Sequence, residues 1–207
     1  MSRVAEASQL IEGPAGALEM LVARVEGSDR VAIICHPHPL YGGTMQNKVV
    51  HTLMRAARDK GVSTIRFNFR GVGKSAGAHA EGVGEIDDCL AVIAWARSNL
   101  GSEKLWLMGF SFGGYIAAAA ACRLQQWPEQ LVLVAPSVEK LPFKDLMPMP
   151  GASVVMMGEA DEVVASKAVF DLLEGQPGVT VERFPETGHF FHGRLVELKE
   201  AVERHLG

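Results

Sequence analysis

Two segments of the chain, GKSAG around Ser75 and GFSFG around Ser111, place a serine in the spacing G-x-S-x-G. A serine hydroxyl becomes a nucleophile toward a carbonyl only when an imidazole takes its proton and a carboxylate orients that imidazole. The flanking glycines matter because such a serine must stand on a tight, strained strand-to-helix turn that exposes its hydroxyl. Context separates the two segments. Ser111 follows the strand-length run KLWLM and precedes YIAAAAACRL, rich in the best helix former. There Gly109 and Gly113 let strand and helix approach around the serine, and Gly114 gives further room. Ser75 lies several residues past its strand and is followed by AGAHAEGVGE, whose glycines keep a helix from starting at once, so it reads as a polar loop residue.

The GVGKS stretch also imitates the end of a phosphate-binding loop. That loop requires a glycine where this chain has Asn68, and a helix whose amino end receives the anion directly after G-K-S. Neither condition is met, which excludes nucleotide binding by this segment.

On an architecture that presents a serine in this way, the acid and the histidine follow later in the chain, each just past the carboxyl end of a strand. After ASVVMMG comes GEADEVV, and after VTVERF comes PETGHFFHG, so Asp161 and His189 are the candidates. Glu159 lies too close to the strand end, and Glu162 reads as a first-turn residue of the next helix, where a carboxylate suits the dipole. His192 falls inside the expected last helix and His205 near its end, whereas His189 follows Thr187-Gly188 in a loop free to face the serine.

These residues need a scaffold of buried strands. Short apolar runs alternate with helical patterns: RVAIIC, then a helix near 44–60; STIRFNF, then one near 83–99; KLWLMGF, then one near 113–125. QLVLVA leads into a Pro-rich loop, ASVVMMG into a helix near 162–174, and VTVERF into a last helix near 190–205. Strand-helix-strand alternation at this spacing gives right-handed crossovers and a mostly parallel, doubly wound α/β sheet of about seven or eight strands. GALEMLVARVEG, before residue 30, alternates weakly and reads as one or two antiparallel edge strands. The stretch PSVEKLPFKDLMPMPG is too short for more than a minimal cap, so the site is expected to be open.

Composition sets the outer bounds. At 207 residues, 48% apolar and a net charge of −4, the chain is expected to form one domain over residues 1–207, without a basic stripe for nucleic acid. MSRVAEASQLIEGPAG carries acids and no continuous apolar core, and the longest apolar run, IAAAAAC, is far shorter than the roughly 20 residues a bilayer requires, so a cytoplasmic location is expected. Cys35, Cys89 and Cys122 are isolated within apolar stretches and read as small core residues rather than as a disulfide or zinc framework.

Taken together, GFSFGG, GEADEVV and PETGHFF on alternating strands resemble the α/β-hydrolase superfamily. More narrowly, CHPHPLYGGTMQNKVV and RFNFRGVGKSAG are similar to small, lidless bacterial hydrolases related to dienelactone hydrolases and short-chain carboxylesterases, over nearly the whole chain from about residue 10. The resemblance implies a Ser111, Asp161, His189 triad. It also implies an oxyanion hole built from the N–H of the residue after the nucleophile, Phe112, and one N–H of the loop HPHPLYGG. Pro37 and Pro39 have no N–H to give, leaving His38, Leu40 or Tyr41, with His38 ranked first and Leu40 second. His36 reads as a residue that shapes this loop, and Gly42 and Gly43 as a turn into a helix capped by Thr44.

Lys48 is a cation near a helix amino end, where it is disfavoured; it is either solvated or holds a substrate carboxylate, and Asn47 is a candidate polar brace beside it. Tyr41, Phe112 and Phe190, with Met147 or Met149, are candidates for an apolar rim.

The expected activity is hydrolysis of esters or thioesters with small to medium acyl groups, by a monomer or homodimer acting on a small molecule without a metal or organic cofactor. Two alternatives stand beside it: a catalytically silent binding protein, and a lactone hydrolase of the dienelactone kind, whose members commonly carry Cys at the nucleophile position.

Overall fold

The runs VAIIC and LVLV are apolar at every position because each becomes a strand covered on both faces. The computed structural model describes residues 4–207. In chain order its elements are β1 (Ala7–Gly13), β2 (Gly16–Ala23), β3 (Arg30–Cys35), α1 (Lys48–Asp59), β4 (Ser63–Phe67), α2 (Val83–Leu100) and β5 (Lys104–Phe110). There follow α3 (Phe112–Arg123), β6 (Gln130–Val134), β7 (Ser153–Gly158), α4 (Ser166–Leu173), β8 (Val179–Phe184) and α5 (Leu195–His205).

The eight strands form one sheet in the order β1-β2-β4-β3-β5-β6-β7-β8. Strands β3 to β8 run parallel, while β1 and β2 are an antiparallel edge hairpin attached to β4. The chain moves outward from β3 to β4 and then returns past β3 to β5, so the order reverses between β3 and β5. A crevice opens at such a reversal, outside the carboxyl ends of the strands. Helix α1 packs on α5, and α2 packs on α3. In α3, residues Phe112 to Ala121 are all buried, squeezed between β5, β6 and α2. The run of alanines supplies helix propensity while letting the helix lie close to the sheet.

Three element boundaries differ from the sequence expectation. Helix α1 starts at Lys48, not near residue 44, and its cap is Asn47, whose Oδ1 accepts from the N–H groups of Val49 (2.8 Å) and Val50 (3.5 Å). Thr44 instead accepts from Gln46 N–H inside the preceding turn. Helix α4 begins at Ser166 because Asp161 Oδ1 takes the N–H groups of Val163 and Val164, both at 2.8 Å, and so holds a turn where a helix was expected. Helix α5 begins at Leu195, since Phe191 at φ +51° and Gly193 at φ +75° stop it from starting near residue 190; His192 therefore lies in a loop. The segment between β6 and β7 carries one short 3-10 turn, Phe143–Leu146, which agrees with a minimal cap. No described helix is long and apolar enough to cross a membrane.

Candidate active site

Ser111 is the junction between β5 and α3, with φ +56° and ψ −117°. A non-glycine residue in this region is strained, and the surrounding contacts hold it there. Its N–H donates to Val134 O (2.9 Å), and its carbonyl accepts from Gly114 (2.9 Å) and Ser137 (3.2 Å). The glycines are required by close backbone approach. A Cβ on Gly109 would lie 2.0 Å from Gly113 O, and one on Gly113 would lie 2.4 Å from the carbonyl oxygens of both Cys35 and His36. The Ser111 hydroxyl makes no hydrogen bond with the described residues.

Two loops meet beside it. Past β7, Asp161 uses one carboxylate oxygen for its own turn and the other, Oδ2, for His189 Nδ1 at 2.7 Å. Both side chains are almost sealed from solvent, at 0% and 3% exposure. Because that bond occupies Nδ1, the ring presents Nε2 to the site. The loops are also joined through the backbone: Ala160 N–H donates to Thr187 O at 3.1 Å, and a Cβ on Gly158 would stand 2.2 Å from that same oxygen. The His189 ring lies 4.9 Å from the Phe110 ring, one residue before the serine.

A third loop follows β3. His36 anchors it from inside: its ring accepts Phe69 N–H at Nε2 (3.1 Å), and Nδ1 donates to Pro37 O (2.6 Å). Burial pushes its pKa down to about 4, which keeps it neutral. Of the remaining donors, Tyr41 and Gly43 N–H both go to His38 O, Gly42 N–H goes to Pro39 O, and Leu40 N–H points at His38 Nδ1 (3.3 Å). His38 N–H has no acceptor among the described residues, nor does Phe112 N–H at the start of α3. Gly113, next to Phe112, abuts the backbone of Cys35 and His36, and the His38 and Phe112 rings lie 4.8 Å apart.

The structure separates the other candidates. Asn47 uses its Oδ1 to cap α1. Lys48 lines a groove between α1 and α5, beside His51, Arg55, Leu195 and Val196, rather than the loop after β3. Leu40, 70% exposed, has its N–H engaged, so its ranking as a donor falls away. Tyr41, 84% exposed, packs on His38 (4.9 Å), and Phe190, 40% exposed, meets the His189 ring edge-on at 5.0 Å. Met149 is buried in the core, not on the rim, and Met147 packs partly buried against that core. The Phe112 ring is buried as well, not on the rim.

Two further residues complete the surroundings. His79 lies against His38 (4.9 Å), with its Nδ1 2.8 Å from the buried Glu85 carboxylate though out of line for a hydrogen bond. Burial first, then His79, holds the His38 imidazole below its ordinary value. Glu162, expected at the start of the next helix, instead accepts His189 N–H at 3.1 Å. Ser75 is taken up by structure: its Oγ accepts Glu19 N–H (2.9 Å) and donates to Asn68 O (2.7 Å). Among the described residues no group of three His, Cys, Asp or Glu side chains is placed to hold a metal ion.

Comparison with known proteins agrees with this architecture. Residues 34–161 match the model of the alpha/beta hydrolase fold family. The chain is similar over its full length, and over the full length of the other chain, to an alpha-beta serine hydrolase homologue from Coxiella burnetii, at 42% identity and a TM-score of 0.92. Over 99% of this chain and 95% of the other, it is 39% identical, with a TM-score of 0.89, to a serine hydrolase without lid from Xanthomonas campestris. It is also 32% identical to an uncharacterised protein of Rickettsia prowazekii, over 94% of this chain and 86% of the relative. The chain belongs to the alpha/beta hydrolase family.

Proposed function

We propose that the protein is a serine hydrolase of carboxylic esters or thioesters with small to medium acyl groups, working through an acyl-enzyme. The observation that carries this reading is the state of Ser111: strained at φ +56° on a strand-to-helix turn, its hydroxyl left out of the structural hydrogen bonding, with an Asp161–His189 pair at 2.7 Å in the neighbouring loops.

In this reading His189 Nε2 takes the Ser111 proton as Oγ attacks the substrate carbonyl, a contact that closes when substrate is bound. Asp161 fixes the ring and stabilises the imidazolium that forms. The oxyanion is received by the unclaimed N–H groups of Phe112 and His38, each worth about two to three powers of ten in rate. His189 then returns the proton to the leaving group, and water attacks the acyl-enzyme with the same imidazole as base. The minimal cap suits soluble substrates with short acyl chains, and a strong preference for long-chain esters would count against it. All of this chemistry is assigned to the chain's own residues.

The test is a fluorophosphonate probe followed by peptide mass mapping, with Ser111→Ala and Ser75→Ala as controls. Modification confined to Ser111, with turnover of butyryl esters or thioesters, is the expected result. A folded protein that is not modified would instead be a silent binding protein.

A further inference from the structure

We infer that Glu162 is a positioning residue for the His189 imidazole, and that Gly188 is glycine so that the Glu162 carboxylate can reach the His189 backbone. The inference deepens the proposed function and rests on it.

His189 is held at two points by consecutive residues of one loop. Asp161 holds the ring through Nδ1, and Glu162 Oε2 accepts the backbone N–H of the same residue at 3.1 Å. A ring held only by its side-chain bond keeps the freedom to swing with its backbone. Holding the N–H as well fixes the Cα from which the ring projects, and with it the direction of Nε2. The backbone around His189 needs such a hold, because the chain there is irregular: Glu186 and Phe191 have φ of +53° and +51°, and α5 does not begin until Leu195. The peptide that carries the His189 N–H is held on its carbonyl side by Phe191 N–H, which donates to Gly188 O (3.1 Å), and the Glu162 carboxylate supplies the hold on its donor side.

The space for this contact is shaped for it. A Cβ on Gly188 would lie 2.7 Å from Glu162 Oε2, with no other atom nearer than the rest of that same carboxylate. Gly188 does not have a positive φ, so its backbone would accept alanine; what excludes a side chain is the carboxylate. This makes Gly188→Ala a probe that dislodges Glu162 without changing it, since the atom in the way is the end of a flexible side chain. Glu162 also does not serve the fold in the expected manner, for α4 starts four residues later with Ala165 as its cap.

The experiment measures steady-state turnover of a butyryl ester by the full chain carrying Glu162→Ala, Glu162→Gln, Gly188→Ala and the Glu162→Ala/Gly188→Ala pair. Thermal midpoints confirm folding, and amide hydrogen exchange reports on the 187–191 segment. Glu162→Ala and Gly188→Ala are each expected to lower kcat about tenfold with little change in KM, as for a misaimed base. The double variant is expected to be no worse than either single, because both remove one contact. Glu162→Gln, whose amide oxygen still accepts the N–H, is expected to keep most of the rate. Exchange at 187–191 should quicken in Glu162→Ala and Gly188→Ala but not in Glu162→Gln. Additive losses, a Gln variant as impaired as the Ala variant, or unchanged kcat with an active wild type would overturn the inference and leave the proposed function standing. If the wild type has no turnover, the proposed function fails, and unchanged exchange in Glu162→Ala would independently overturn the contact's role.

Discussion

Ser75 and Ser111 share the spacing G-x-S-x-G and nearly the same low exposure, 7% and 8%, yet their hydroxyls are treated in contrary ways. Ser75 accepts one backbone N–H and donates to one backbone carbonyl, pinning the loop after β4 to β2. Ser111 bends the backbone into a strained region and leaves its Oγ with no structural partner. Burial alone does not tell a nucleophile from a brace; the distinction is whether hydrogen-bonding capacity has been spent on the fold. Two histidines repeat the contrast. His36 has both ring nitrogens satisfied by backbone groups, whereas His189 has one nitrogen fixed by Asp161 and no hydrogen bond at the other among the described residues.

The contrast is most easily broken at Ser111. Ser111→Ala is expected to lower kcat on the order of a millionfold, and Asp161→Asn about ten-thousandfold, while both proteins stay folded by circular dichroism. Residual turnover near the wild-type rate in Ser111→Ala would place the nucleophile elsewhere. The next largest effect is expected at Gly113. There a Cβ would press within 2.4 Å of two backbone carbonyl oxygens, which cannot move aside as a side chain can. Gly113→Ala should therefore separate the Phe112 and His38 donors and slow ester turnover about a hundredfold; ester kinetics on the folded variant decide it.

The histidine contrast has a pH signature. The folded-state value for His36, about 4, lies below the ordinary 6.5, so between those limits the unfolded chain binds more protons than the native one. The stability this group confers is complete above pH 6.5 and falls as pH drops toward 4, by about 3 kcal/mol in all. Urea midpoints measured from pH 7.5 to 4 should decline across that window, and a flat profile would mean that the ring is not held neutral. The smallest effect belongs to Ser75. Ser75→Ala leaves Glu19 N–H and Asn68 O without a partner and is expected to cost about 1–3 kcal/mol, measured by urea unfolding, with fluorophosphonate labelling of Ser111 unaltered. A loss of labelling would erase the distinction between the two serines.

What could be read from residues alone was whatever local pattern dictates. Buried strands announce themselves as unbroken apolar runs, and α3 as an alanine run directly after its turn. Asp161 and His189 were legible because a strand end followed by a short polar loop is a local feature, and the structure brings them to 2.7 Å. The same local reasoning misplaced the starts of α1, α4 and α5, where a loop's own contacts compete with helix formation. TMQNKVV points to Thr44 as the cap, and nothing in it shows that Asn47 Oδ1 takes two N–H groups of the next turn. The contact of Glu162 with His189, and the pairing of His79 with Glu85 beside His38, are not legible for a related reason: the partners lie across loops, and only chain closure decides which groups meet. Sequence determined the order of elements and which residue types stand at strand ends. Tertiary structure alone decided which polar groups are already satisfied, because that depends on contacts between residues distant along the chain. At this site, that is also what separates an available catalytic group from a structural one.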